Sequence, residues 1–231
     1  KQILARDEII VVSKIGYVQG QNLKMAQARE KAGRPYPEMV KYAEGIWHCI
    51  HPEFLADQLS LSLDRLGVET LDVCLLHNPE YFLAEAKHRG RTDLEKVREQ
   101  FYSRLEGAFA FFESQVAAGK LRYYGVSSNT CTERATDPEA TSLSWMVQAA
   151  KLAATRAGIP SHHFKVLQCP MNLFEAGAVL TPNTGPAGQH TLLDLSLKEG
   201  LAVLVNRPLN AIPKTPQGSG PMVRLAELSV E

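Results

Sequence analysis

The stretch LDVCLLHNPE, residues 71–80, decides how the chain reads. A largely apolar run over 71–76 stops abruptly in His77, then Asn78 and the helix-breaking Pro79. A buried strand that delivers a titratable side chain at its carboxyl end is the sequence trace of an α/β active site. The same pattern recurs along the chain. Residues 9–12 end in Ser13 and Lys14, residues 123–126 in Ser127, Ser128 and Asn129, and residues 166–167 in Gln168. Residues 201–205 end in Asn206, Arg207 and Pro208. Five apolar runs therefore finish in polar groups on the same side.

A chain of 231 residues is long enough to bury a large core in one barrel-sized domain. Lys plus Arg equals Asp plus Glu, at 25 each, so no net field attracts nucleic acid or an anionic membrane. The cysteines Cys49, Cys74, Cys131 and Cys169 show no C-x-x-C spacing. They read as reduced core residues of a cytoplasmic protein. No apolar run approaches the roughly 20 residues of a membrane-spanning helix. The first strand begins almost at Lys1 and the chain ends on what reads as an opening helix over 223–228, so a portion of a longer polypeptide is expected.

In order, residues 8–15 read as a strand buried on both faces, as parallel strands are. Residues 17–50 form a long insertion, with a helix over 21–32 and a second short one over 39–47, at the mouth of the site. Residues 52–66 read as a helix, with Pro52 in its first turn, Gly67 as its C-cap and Leu55, Leu59, Leu63 and Leu66 on one face. Further helices are expected over 92–118, 139–157 and 192–198, and further strands over 121–126, 165–169 and 201–205. The Pro- and Gly-rich segment 210–220 reads as a loop. Alternating strands and helices give a parallel sheet with crossover connections. No G-x-G-x-x-G or P-loop follows any strand, which disfavours an open-sheet nucleotide or sugar-phosphate fold. The long connections favour a (β/α)₈ TIM barrel, incomplete at both ends, as a single domain.

These motifs resemble the aldo-keto reductases. The strand IIVVSK is similar to the family's third barrel strand, whose catalytic lysine is here Lys14. The segment SLDRLGVETLDVCLLHNP, residues 62–79, resembles the family's most recognisable stretch, whose catalytic histidine is here His77. GVSSN, residues 125–129, resembles the family's G-x-S-N, whose serine and asparagine hold the nicotinamide carboxamide. Ser128 and Asn129 take that role, with Ser127 as the other alignment. Gln168, in VLQCPMNLFE, matches a glutamine that touches the same carboxamide, and NRPL, Asn206 to Leu209 with Arg207 and Pro208, occupies the place of Y-S-P-L. The resemblance implies an oxidoreductase that uses NADP(H), with NAD(H) as the other choice, to interconvert a small carbonyl compound and its alcohol. The family's aspartate and proton-donating tyrosine belong to strands that would precede Lys1, and Asn206 replaces its ring-stacking tyrosine. The competing expectation is a nucleotide-binding barrel with a regulatory or scaffolding role.

Each residue also has a plainer reading. Lys14 could snorkel to solvent, and an ammonium at a buried strand's end needs a balancing partner. His77 could be a hydrogen-bonded core histidine. Ser127, Ser128 and Asn129 could simply form a turn. A Gln within an apolar strand must find partners, and a cofactor amide would supply them. Arg207 with the loop after it could hold a diphosphate or stay solvated. His48 and His51 stand at metal-like spacing, but without a second ligand pair the sequence argues against a zinc site. Tyr17, just past Lys14, is near enough in sequence to replace the donor tyrosine.

Overall fold

The computed structural model describes residues 5–212, 214–215 and 218–225. In chain order these form β1 (Val12–Ile15), β2 (Tyr17–Val18), α1 (Gly20–Lys31), β3 (Val40–Ala43), β4 (Ile46–His48) and α2 (Pro52–Leu66). Then come β5 (Leu71–His77), α3 (Tyr81–His88), α4 (Leu94–Ala117), β6 (Leu121–Ser127), α5 (Leu143–Arg156) and β7 (Phe164–Pro170). The short α6 (Gly177–Leu180), α7 (Leu192–Lys198) and β8 (Ala202–Asn206) follow, with two-residue strands β9 (Asn210–Ala211), β10 (Lys214–Thr215), β11 (Gly218–Ser219) and β12 (Val223–Arg224).

The principal sheet is parallel, five-stranded and ordered β1-β5-β6-β7-β8. Helices cover one face, and the main core fills that interface. Phe101, Phe109, Phe112, Tyr124 and Phe164 are all fully buried there, with Phe109 5.1 Å from Tyr124 and 5.2 Å from Phe164 between ring centroids. Full burial of each such ring contributes roughly 1.5–3 kcal/mol. The opposite face carries a smaller cluster of Val73, Leu75 and Val166 with Leu204 against it.

Helix boundaries follow local chemistry. The side chain of Asp93 accepts from the Lys96 N–H at 3.1 Å and starts α4, and Thr191 with Asp194 forms a capping box at α7. The last turn of α2 closes on Gly67 at φ 63°, a left-handed position that suits glycine. Helix α5 starts at Leu143 rather than at 139, because 129–142 is held in turns by Thr130, Asp137 and their neighbours.

Several expectations need correction. Only Val12–Ile15 of 8–15 is a strand, and it is not buried on both faces: Ile10 is 78% exposed and Val12 41%. Among the described residues the strand pairs with β5 alone. Residues 39–47 do not form a helix. They make the β3–β4 hairpin, turning at Gly45 (φ 73°) and extended by β2 into a three-stranded antiparallel sheet. The β-branched and aromatic residues Val40, Tyr42, Ile46 and Trp47 favour this over a helix, and Lys41 stacks on the Trp47 ring at 4.4 Å. Helix α3, directly after Pro79, was not anticipated. Segment 210–220 is not all loop, since β9 pairs with β12 and β10 with β11. Val223–Arg224 is thus strand rather than the start of a helix, Leu225 lies in a bend after it, and residues 226–228 of that expected helix lie outside the described residues.

All four cysteines are buried and free. No helix among the described residues is long and apolar enough to cross a membrane.

Two contacts hold the sheet in the register that the site needs. Asp72, 6% exposed, accepts from Arg6 Nη2 at 2.7 Å, from the Val11 N–H at 2.8 Å and ion-pairs Arg122 at 3.1 Å, which ties the segment before β1 to β5. Burial alone would raise its carboxyl, but the Val11 N–H and the two guanidinium groups outweigh it and hold the pKa below the ordinary value. Gly125 answers a close approach. A Cβ there would lie 1.9 Å from the Val166 carbonyl oxygen, beside the register shift between β6 and β7.

Both contacts can be tested. Because the folded-state pKa of Asp72 is depressed, its stabilisation is fully present above the unfolded carboxylate value and fades as pH falls through the folded one. Urea unfolding should therefore show Asp72→Ala costing about 2 kcal/mol at neutral pH and progressively less in acid. Gly125→Ala should cost at least about 1–3 kcal/mol as overpacking against backbone.

Candidate active site

In a parallel sheet, paired residues share a face, and the pairing register builds this site. His77 pairs with Ser127 and Ser127 with Gln168, so three side chains lie in one row across β5, β6 and β7 at their carboxyl ends. Lys14 pairs with Leu75, one rung lower on the same face, and Asn206 pairs with Pro170, one rung higher.

Lys14 Nζ donates to Gln168 Oε1 at 2.7 Å, and Ser127 Oγ donates to the same oxygen at 2.8 Å. A lysine can only donate, so the Gln168 amide must present its oxygen here, leaving Nε2 without a partner among the described residues. The balancing group for Lys14 is thus an amide oxygen, and partial burial lowers the lysine's pKa.

The His77 imidazole is half-buried, and burial together with the Lys14 charge pushes its pKa down to about 4. At neutral pH it is an uncharged imidazole. Its ring meets Tyr17 edge-on at 4.7 Å, and its backbone carbonyl accepts from His48 Nε2 at 2.7 Å, which assigns His48 the Nε2–H tautomer. Burial pushes His48 down to about 4 as well. Gly16 completes this junction, at φ 136° with the place of a Cβ 2.8 Å from His48 Nε2. His51 accepts from the Glu53 N–H at the start of α2. The two histidines therefore serve the fold, and no group of three metal-ligating side chains occurs among the described residues.

The hydroxyl of Tyr17 accepts from Asn78 Nδ2 at 2.8 Å and is packed against Tyr81. Burial raises its pKa. The Tyr17 ring forms a wall beside His77.

Ser128 is fully buried and turned into the layer of helices, with its Oγ 3.1 Å from Thr141 Oγ1 and accepting from the Thr130 N–H. Of the two adjacent serines, Ser127 faces Gln168. The backbone N–H of Asn129 donates to Glu80 Oε1 at 2.7 Å, and its Oδ1 accepts from Arg207 Nη1 at 3.0 Å. Arg207, at φ 54°, also pairs with Glu175 at 2.5 Å. Burial pushes the Glu175 carboxyl up, but Arg207, Asn172 and the Ile212 N–H outweigh it and hold the group below its ordinary value. The Arg207 charge is already balanced within the protein. Pro208 and Leu209 form the turn after β8, with Leu209 half exposed. The Lys214 side chain lies outside the described residues.

Two acidic groups escaped the sequence reading. Glu80, 5% exposed, anchors Asn129, and burial pushes its carboxyl up to about 7. Its signal was a carboxylate just after the Asn-Pro that ends the strand, a place where no exposed loop could be assumed. Glu175 gave no signal in sequence, since its partner Arg207 lies 32 positions away.

The chain spans about half the length of the solved proteins it matches. An aldo-keto reductase of Bacillus halodurans in its holo form is 14% identical, with TM-score 0.44, over 93% of this chain and 51% of that one. The glycerol dehydrogenase of Gluconobacter oxydans is 17% identical, with TM-score 0.44, over 87% and 41%. An aldo/keto reductase of Klebsiella pneumoniae, in complex with NADP and acetate, is 19% identical, with TM-score 0.42, over 88% and 44%. No curated protein sequence matches the chain. These structural likenesses are distant, and the assignment rests on sequence: residues 3–159, more than half of the chain, match the aldo/keto reductase family. The five-stranded parallel sheet with its helices is part of that family's (β/α)₈ barrel, and the chain belongs to the aldo/keto reductase family.

Proposed function

We propose that the protein to which this chain belongs is an NADP(H)-dependent oxidoreductase that interconverts an aldehyde or ketone and its alcohol. The observation that carries this reading is the cluster on one face of the sheet, where Lys14 and Ser127 both donate to Gln168 beside His77.

The side chains fit a nicotinamide carboxamide. Gln168 Nε2 and Asn129 Nδ2 are donors without partners among the described residues, suited to an amide oxygen. Asn206 Oδ1 is buried with no hydrogen-bond partner, an acceptor suited to an amide N–H. Ser127 and Lys14 fix the orientation of Gln168. The nicotinamide would supply the hydride. Neutral His77 offers an N–H to a substrate carbonyl without the desolvation cost of a buried imidazolium. Burial, reinforced by the Lys14 charge, keeps His77 uncharged, and Lys14 places a positive charge where a phenolic donor from another part of the barrel would have its pKa lowered. Segment 17–50 acts as a cap that supplies Tyr17 and His48 to the neighbourhood of His77 and shapes substrate choice.

The test is titration of the intact protein with NADPH by fluorescence, followed by assay of aldehyde and ketone reduction. Gln168→Leu should weaken NADPH binding about tenfold, the loss of roughly 1.4 kcal/mol of hydrogen bonding. Failure of NADPH and NADH to bind at all refutes the proposal. Tight binding with no turnover in the intact protein would instead favour a regulatory barrel.

A second outcome concerns His77. Its folded-state pKa is depressed, so it remains neutral, and reduction keeps no acid limb from it, until pH falls to about 4. Lys14→Met removes one of the two causes, and NMR of the imidazole Cε1–H should show the pKa moving up towards its ordinary value. The same variant should slow carbonyl reduction by about 10²–10⁴-fold.

A further inference from the structure

A second cavity lies outside the row of His77, Ser127 and Gln168, between the amino-terminal parts of α4 and α5 and the loop over 183–188. Its volume is about 1180 Å³. Three of its features point to one kind of occupant.

The first is charge. Glu95 and Glu99 are exposed on successive turns of α4, line the cavity and form no ion pair or hydrogen bond among the described residues. Arg98 is the cation on the same wall, its Nη2 donating to the carbonyl oxygens of Ala135 and Asp137 at 2.8 and 3.0 Å, and the carboxylates of Glu95, Glu99 and Glu133 outnumber it there. The second is an aromatic surface. Trp145 is 59% exposed, unusually so for the largest side chain, and its ring lies 5.9 Å from that of Tyr102. The Tyr102 hydroxyl accepts from the Ser142 N–H at 2.8 Å, which fixes the ring.

The third is an unused acceptor. Asn183 lines the cavity and is only 5% exposed; its Nδ2 donates to the Cys131 and Glu133 carbonyls, while Oδ1 accepts nothing. A buried acceptor without a donor is costly, and a ligand N–H would satisfy it. The obvious anion-binding group nearby is already used: the Ser144 N–H at the start of α5 donates to Thr184 Oγ1 at 2.8 Å.

We propose that this cavity binds an organic cation, a guanidinium or alkylammonium group on a short carbon chain. The charge sits against Glu95 and Glu99, the flat or alkyl part lies on the Trp145 face, and an N–H reaches Asn183. Aromatic faces attract such cations, most strongly where carboxylates stand beside them. Nothing in this site depends on nicotinamide binding, so the two readings stand or fall separately.

The experiment is titration of the intact chain with agmatine, followed by calorimetry and by intrinsic fluorescence, with isoamyl alcohol as the neutral control. Saturable binding is expected, weakened by added salt, with the fluorescence change lost in Trp145→Phe. The double variant Glu95→Gln/Glu99→Gln, altered at exposed positions that leave the fold intact by circular dichroism, should bind about tenfold more weakly or worse. A blocked arginine peptide that binds more tightly than agmatine assigns the cation to a partner's side chain, and the reverse order assigns it to a free amine. Absence of binding by either cation overturns the proposal. So does equal binding of isoamyl alcohol, or undiminished agmatine binding by the double variant.

Discussion

The register of the parallel sheet is the constraint on which the rest depends. A strand alternates its faces, so a slip of one residue would send every polar side chain at its end into the layer of helices. With His77 opposite Ser127 and Ser127 opposite Gln168, three strands deliver their terminal groups to one row. The oxygen of Gln168 then receives two donors, Lys14 from β1 and Ser127 from β6, and so ties β1 to the centre of the sheet. Gly125 permits this register by admitting the Val166 carbonyl where any side chain would exclude it.

Around that row the molecule separates apolar and polar work by face. Phenylalanines and Tyr124 fill the helix side, and the buried carboxylate of Glu113 is satisfied there by the Tyr124 hydroxyl at 2.8 Å and by both the backbone and the ring of His163. The other face is apolar only in its lower part, at Val73, Leu75 and Val166, and becomes polar where the strands end. Near the site, burial and the Lys14 charge keep His77 neutral, Arg207 is paired internally with Glu175, and Lys14 holds its charge against the Gln168 amide oxygen. What remains unspent is a set of amide groups, which suits recognition of an uncharged amide better than of an anion.

The acidic residue Glu80 shows how position and support are divided. Asn129 sits in a loop, where backbone freedom would blur a binding geometry. Its N–H is held by a buried carboxyl and its side-chain oxygen by Arg207, so a loop residue is fixed from two sides. The same loop, through Glu133, Ala135 and Thr141, also borders the cavity between α4 and α5.

Much of this was legible in the sequence. Apolar runs ending in Lys14, His77, Ser127 and Gln168 announced parallel strands with a polar rim, because burial on both faces demands unbroken hydrophobicity and chemistry needs polar ends. Helix α2 was legible from its leucine stripe and Gly67, since both signals are local. The tertiary structure decided what depended on neighbours distant in the chain. It chose Ser127 over Ser128 for the face of Gln168, because only the pairing of β6 with β7 sets which of two adjacent hydroxyls points where. It made residues 39–47 a hairpin, because β2 offered them an edge to pair with. It also turned Arg207 inward to Glu175, a partner 32 positions away that no local pattern could name.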